Sequence, residues 1–403
     1  MEFALANGIT HSPERRTKRS CELRETQASY TIFSLLATRH SQLTMDVTEL
    51  KRSQLEGVAQ HRESLRKSPH LRWLFFEITN RCNLRCRHCG SNCTAHGQTL
   101  TVEDIQGVLG TIQGDKPSIC LTGGEPMMHP AFFEIAECVR SMGFYWGMTT
   151  NATLIDDVIA ENLKQVGMST VSVSLDGMER SHDSLRQRKG SWRLALRGLK
   201  ALQKAGFEPQ VTTVLHPNNF NELDELYDML SEMGITNWRP VNVEPIGRAC
   251  ESSDLLLAPN QIAQLISYIR NKRFDSSNKM EVTFGCSHYL GVENERMVRD
   301  HYFLCGAGIL VASVRSNGDI CACLDIENRP ELVQGNIKTD NFMDVWLNRF
   351  QVFRKDRTSD CSKCVNCSER FLCGGDSTHT WDFDHNEPLL CYEDFKEAVG
   401  KRQ

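Results

Sequence analysis

Cys82, Cys86 and Cys89 stand at C-x3-C-x2-C spacing in Arg81-Cys-Asn-Leu-Arg-Cys-Arg-His-Cys89, directly after the apolar run 71–78. Three thiolates at that spacing can hold an iron–sulfur cube by three irons and leave the fourth without a protein ligand. An open iron is a place for substrate-like chemistry. A zinc knuckle is the competing reading and needs a fourth ligand. Cys93 and His96 are available for that, whereas His88 is too close to the cysteines to reach the same metal comfortably. A second array, Cys364-x2-Cys367-x5-Cys373 followed by Cys391, offers four more thiolates. Four cysteines suit one tetrahedral zinc or one four-iron cluster, and their spacing does not choose between them.

The rest of the composition narrows the class. A chain of 403 residues is long enough for about two domains. Its net charge of −5, with no basic block, leaves no electrostatic footprint for nucleic acid. Seventeen cysteines, unevenly spread, read as metal clusters rather than a disulfide scaffold, which implies a reducing compartment. Mean hydropathy is −0.39, and no run approaches the roughly 20 apolar residues that span a bilayer. The expectation is a cytoplasmic protein without membrane or nucleic-acid partners.

The elements that must position these cysteines follow from periodicity. Residues 1–44 are polar and aperiodic, which predicts disorder, and 47–65 predicts a helix. Strands are expected at 71–78, 118–122, 145–150, 170–175, 210–215 and 238–243, alternating with helices at 102–113, 131–142, 156–166, 192–205 and 221–233. Four helices run into Gly143, Gly167, Gly206 and Gly234, where glycine tolerates the left-handed backbone of a helix end. Repeated strand, helix and glycine units predict parallel β-α repeats, whose chemistry sits at the carboxyl ends of the strands. The cysteine triplet follows the first strand, and Thr122-Gly-Gly-Glu-Pro126 follows the second. In that turn Gly123 and Gly124 permit close backbone approach, and Glu125 supplies an acceptor for an ammonium group.

Taken together, the triplet and the Gly-Gly-Glu-Pro turn resemble the radical S-adenosylmethionine (SAM) enzymes, over residues 71–391. The resemblance implies a partial (β/α)6 barrel followed by a small cysteine-rich domain of the SPASM or twitch type. It implies a [4Fe-4S] cluster on Cys82, Cys86 and Cys89 whose open iron chelates SAM. Glu125 would take the SAM amino group, Ser174 the ribose with Asp176 sharing that role or shaping the turn, and Arg186 the carboxylate. A planar, always-charged guanidinium suits the last task. Asn151 after the third strand, Val214 after the fifth and Pro245-Ile-Gly-Arg-Ala249 after the sixth would complete the SAM pocket. His129 reads as a loop or helix-entry residue, and Cys120 and Cys138 as packed thiols.

For the C-terminal array the same resemblance implies one or two auxiliary [4Fe-4S] clusters. Cys364, Cys367, Cys373 and Cys391 form a complete ligand set. Cys305 and Cys323, arranged around Gly318, match part of a second signature, but the expected fourth cysteine falls on Ser377. Cys286, Cys321 or Cys361 would have to substitute, or that cluster would be open. The implied domains are an N-terminal extension (1–70), the radical SAM core (71–250), a helical connector (251–285) and the auxiliary-cluster domain (286–403). The implied activity is reductive SAM cleavage and hydrogen abstraction from a peptide or protein, with a flavodoxin or ferredoxin as electron donor. A small molecule such as a sugar or alcohol is the alternative substrate, and a zinc-stapled binding protein the alternative of another class.

Overall fold

The computed structural model describes residues 47–400 apart from Asn92, Ala95, Cys286 and Ser287. The expected disorder of 1–44 and the candidate ligand Cys286 therefore lie outside the described residues. The six apolar runs form strands β1 (Trp73–Thr79), β2 (Ser118–Gly123), β3 (Trp146–Thr150), β4 (Thr170–Ser174), β5 (Gln210–Leu215) and β6 (Asn237–Asn242). Each pairs in parallel with the next. The crossovers carry α2 (Val102–Gly110), α3 (Phe132–Ser141), α4 (Asp157–Gln165), α5 (Glu179–Arg186) with α6 (Ser191–Lys204), and α7 (Leu223–Glu232). Helix α2 begins with a reciprocal cap between Thr101 and Asp104, and Gly143, Gly167, Gly206 and Gly234 all adopt positive φ. Helix α5, just before α6, is the one crossover helix that periodicity missed. Its eight residues include the polar run 181–184, which hides a helical period.

The sheet is longer than six strands. Beyond β6 lies β7 (Glu281–Val282), after helix α8 (Pro259–Phe274), and on the far side of β1 lie β8 (Val311–Val314), β9 (Asp319–Cys321) and β10 (Gly335–Asn336). The order β10-β9-β8-β1-β2-β3-β4-β5-β6-β7 leaves β7 and β10 as the two ends, so the barrel is open. Strand β8 runs parallel to β1, from Trp73 opposite Val311 to Phe76 opposite Val314. The cysteine-rich region is thus joined to the barrel through backbone hydrogen bonds. Its strands are two to four residues long, too short for alternation to register in the sequence.

Helix α1 (Val47–Lys67) also belongs to that region. Leu55 packs with Tyr289, Phe303 and Leu372. The buried Arg62 donates to the carbonyls of Leu372, at 3.1 Å, and Phe371. Those carbonyls lie on or beside α11 (Arg370–Cys373), inside the cysteine array. Among the described residues no helix is long and apolar enough to cross a membrane.

Candidate active site

The loop after β1 is stitched to the end of β2. Gly124 N–H donates to the Thr79 carbonyl and Glu125 N–H to that of Arg81, both at 2.8 Å. A Cβ on Gly124 would lie 2.3 Å from the Arg81 carbonyl oxygen, and one on Gly123 2.2 Å from that of Thr79. The two glycines are therefore required for the cysteine loop to rest on the strand end. Cys82, Cys86 and Cys89 all line one cavity of about 270 Å³, together with residues from the carboxyl ends of β2 to β6. Burial pushes the Cys82 thiol up to about 12 and also raises Cys86, which Arg186 partly offsets. Cys89 is pulled down to about 5, chiefly by a hydrogen bond with the Cys93 thiol, against burial and with help from Arg248. The first two thiols need a bound cation to ionise, as metal ligands do. Three such thiols on one cavity wall fit a three-cysteine cluster.

The strand-end residues divide into those that face the cavity and those that hold them. Gly123, Gly124, Asn151, Ser174, Arg186 and Val214 line it. Glu125 is fully buried behind them. It accepts hydrogen bonds from Thr150 Oγ1 (2.7 Å), Asn151 N–H (2.8 Å) and Met127 N–H (3.3 Å). Burial raises its pKa to about 7 despite these donors. Asn151 is clamped in turn, bonding Asn83 and Thr153, and Ala152 beside it has φ 55°. A non-glycine residue in that region marks a backbone held by its surroundings.

Asp176 is also fully buried, and it accepts from Arg186 Nε at 2.6 Å and from Val214 N–H at 2.9 Å. Burial alone would raise its pKa, but the Arg186 charge brings it down to about 2. The other edge of Arg186 reaches Cys86 Sγ at 3.6 Å. Asp176 therefore aims the guanidinium at the cysteine triplet and ties the end of β4 to β5. His129 lies in the turn before α3, its Nδ1 accepting from Ala131 N–H and its Nε2 meeting the Leu100 carbonyl at 2.7 Å. Cys120 is packed beside Phe75 and Val311, and Cys138 beside Met142.

Five further lining residues were not expected from the sequence. Arg239 and Asn242 of β6, Glu244 just beyond it, and Asp325 and His379 of the cysteine-rich region complete the cavity. His379 Nε2 meets Glu244 Oε2 at 2.6 Å. Burial would lower the imidazole's pKa, but Glu244 raises it to about 10, so the pair is ionic. The strand-end rule points to Glu244, whereas nothing in the sequence around His379 signals a place in the cavity.

In the C-terminal array Cys391 neighbours Cys364, Cys367 and Cys373, so the four thiols of the complete set share one locality. Cys361 is a hydrogen-bonding neighbour of Cys364. Cys305 instead receives Thr378 N–H at 3.4 Å and contacts its hydroxyl at 3.3 Å. Cys323 is buried in the main apolar core, 3.9 Å from Asp325 Oδ2.

Residues 76–230 match the radical SAM superfamily, and residues 305–368 match the iron–sulfur cluster-binding domain SPASM. The AdoMet-dependent heme synthase of Oleidesulfovibrio alaskensis is 25% identical over 83% of this chain and 91% of its own. The mycofactocin maturase MftC of Mycobacterium tuberculosis is 27% identical over 75% of this chain and 77% of its own. Among solved structures, anSMEcpe with bound AdoMet and Cp18Cys peptide superposes with a TM-score of 0.65 at 19% identity, covering 82% of this chain and 96% of that one. That likeness shows a shared fold.

Proposed function

We propose, for a chain that belongs to the radical SAM superfamily and carries a SPASM domain, that hydrogen abstraction takes place in the cavity between the cysteine triplet and the Glu244–His379 pair. The observation that carries this reading is the convergence of Cys82, Cys86 and Cys89 with five strand ends on one cavity. Cys82, Cys86 and Cys89 would hold a [4Fe-4S] cluster, which would supply the electron for reductive cleavage of SAM. The chain's own residues bind and orient. Arg186, fixed by Asp176, presents a charged fork to a carboxylate. The Gly123–Glu125 turn and Asn151 present backbone and amide groups at the next strand ends. Val214 offers an apolar face for a base. Glu244 and His379 add an ion pair to the same lining, His379 coming from the SPASM region.

The substrate we propose is a peptide or protein undergoing modification, supported by the peptide bound to anSMEcpe and by the similarity to a maturase. A heme-forming substrate is the second reading, favoured by heme synthases that align over most of both chains. Residues 305–368, which match a cluster-binding domain, include Cys364 and Cys367, and this favours iron–sulfur over zinc for the C-terminal set. Anaerobically reconstituted protein with a strong reductant should convert SAM to 5′-deoxyadenosine and methionine, and Cys82→Ala, Cys86→Ala and Cys89→Ala should each abolish it. Turnover surviving in all three variants refutes the reading. Peptide and iron-porphyrin fractions from cells grown in deuterium oxide then separate the substrates, since only the true one transfers deuterium into 5′-deoxyadenosine.

A further inference from the structure

We infer that this protein holds a single auxiliary cluster, on Cys364, Cys367, Cys373 and Cys391, and that the Arg357 guanidinium occupies the place a second cluster on Cys305 would need. The inference rests on reading the C-terminal cysteines as cluster ligands. Arg357 Nη1 donates to Thr378 Oγ1 at 2.9 Å, and that hydroxyl lies 3.3 Å from Cys305 Sγ. Arg357 Nη2 donates to the carbonyls of Asp376 at 3.0 Å and Gly375 at 3.4 Å. The guanidinium carbon is 4.8 Å from the centroid of Trp381, so the cation is held on its face as well as its edge. Arg357 also neighbours both Cys305 and Cys373.

The space beside Cys305 and Arg357 is about 20 Å³, room for one water. Inserting a cluster at Cys305 would displace this half-buried cation from three oxygen acceptors and from the Trp381 face. The ligand count agrees, because Ser377 stands where the fourth cysteine is expected. Among the described residues the alternatives are engaged elsewhere: Cys321 beside Arg315 and Glu77, Cys361 beside Cys364. Cys323 faces the carboxylate of Asp325, which disfavours a thiolate.

Iron counting and Mössbauer spectroscopy on the full chain carrying Cys82→Ala, Cys86→Ala and Cys89→Ala test this without reference to activity. About four irons are expected, one cube. Adding Cys305→Ala, or Cys305→Ser where the alanine folds poorly, should leave the count and spectrum unchanged, while adding Cys364→Ala should remove the iron. About eight irons, or iron lost with Cys305, overturns the single-cluster assignment and leaves the cluster reading intact. Zinc in place of iron overturns the cluster reading itself.

Discussion

Glu125→Ala separates two roles that the sequence cannot distinguish, an acceptor for the SAM ammonium and the keystone of the strand-end turn. In the folded chain the carboxylate takes three hydrogen bonds, from Thr150, Asn151 and Met127. Truncation leaves the Asn151 amide and the Thr150 hydroxyl buried without their acceptor, at about 1–3 kcal/mol each. Protein free of SAM and iron should therefore lose about 2–6 kcal/mol in urea unfolding. The loss should also depend on pH. Folding lifts the pKa from an ordinary 4.5 to about 7. The resulting stability is fully present below pH 4.5 and is lost as pH rises through about 7. At about 1.4 kcal/mol per tenfold change in proton affinity it amounts to about 3 kcal/mol. The gap between parent and variant should accordingly shrink from pH 5 to pH 8. A gap below about 0.5 kcal/mol at pH 5, or one that widens with pH, refutes the keystone role. If the ammonium of SAM also meets this carboxylate, it favours the ionised form, and SAM binding should tighten over the same pH interval.

The other two tests concern buried charge. Asp176→Asn leaves the Arg186 guanidinium without its carboxylate and should cost about 3–5 kcal/mol in urea unfolding. Because the folded pKa of Asp176 is depressed from 3.8 to about 2, about 2 kcal/mol of stability is present above pH 4 and lost as pH falls through 2. Acid unfolding followed by circular dichroism should show this contribution in the parent and not in the variant; identical acid profiles contradict the pairing. Arg62→Ala removes two charged hydrogen bonds to the carbonyls of Phe371 and Leu372 and should cost about 3 kcal/mol, with amide exchange accelerating around 370–376. Unchanged exchange there would mean that α1 does not hold the cysteine loop.

The barrel was legible because each strand is an apolar run and each of four helices ends in a glycine with positive φ. Those signals are local, and the strand-end rule turned them into positions for the cysteine triplet, the Gly-Gly-Glu turn, Asn151, Ser174 and Arg186. What stayed hidden is non-local. Strand β8 has four residues and takes its meaning from lying beside β1. His379 reaches the cavity only because the cysteine-rich region folds back over β6. By resemblance Glu125 takes the SAM amino group and Asp176 shares the ribose contact or shapes the turn; in the folded chain neither has exposed surface, and their oxygens accept from Thr150, Asn151, Arg186 and Val214, partners that only the tertiary fold brings together. Helix α1 is legible as a helix, but its docking on the cysteine-rich region is not, since its buried face includes an arginine.

Two carboxylates on nearby strand ends, equally buried, titrate in opposite directions, and the difference explains how the cavity is built. Glu125 is surrounded by neutral donors, which satisfy its oxygens but cannot repay the loss of water, so its proton is held to near neutrality. Asp176 has a guanidinium at 2.6 Å, which outweighs the same loss and keeps it ionised. Environments that separate like groups in this way assign them different work. Asp176 is a fixed charge that cancels Arg186 on its protein side and leaves the guanidinium's reach toward Cys86 and the cavity. Glu125 is a responsive one, able to ionise when a cation arrives beside the turn. Elsewhere on the lining Glu244 and His379 form an ion pair of their own, beside Arg239, Arg248 and Asp325. Of the two strand-end carboxylates Glu125 is the one poised to change state, when a ligand such as a zwitterionic amino-acid group brings its ammonium beside the turn.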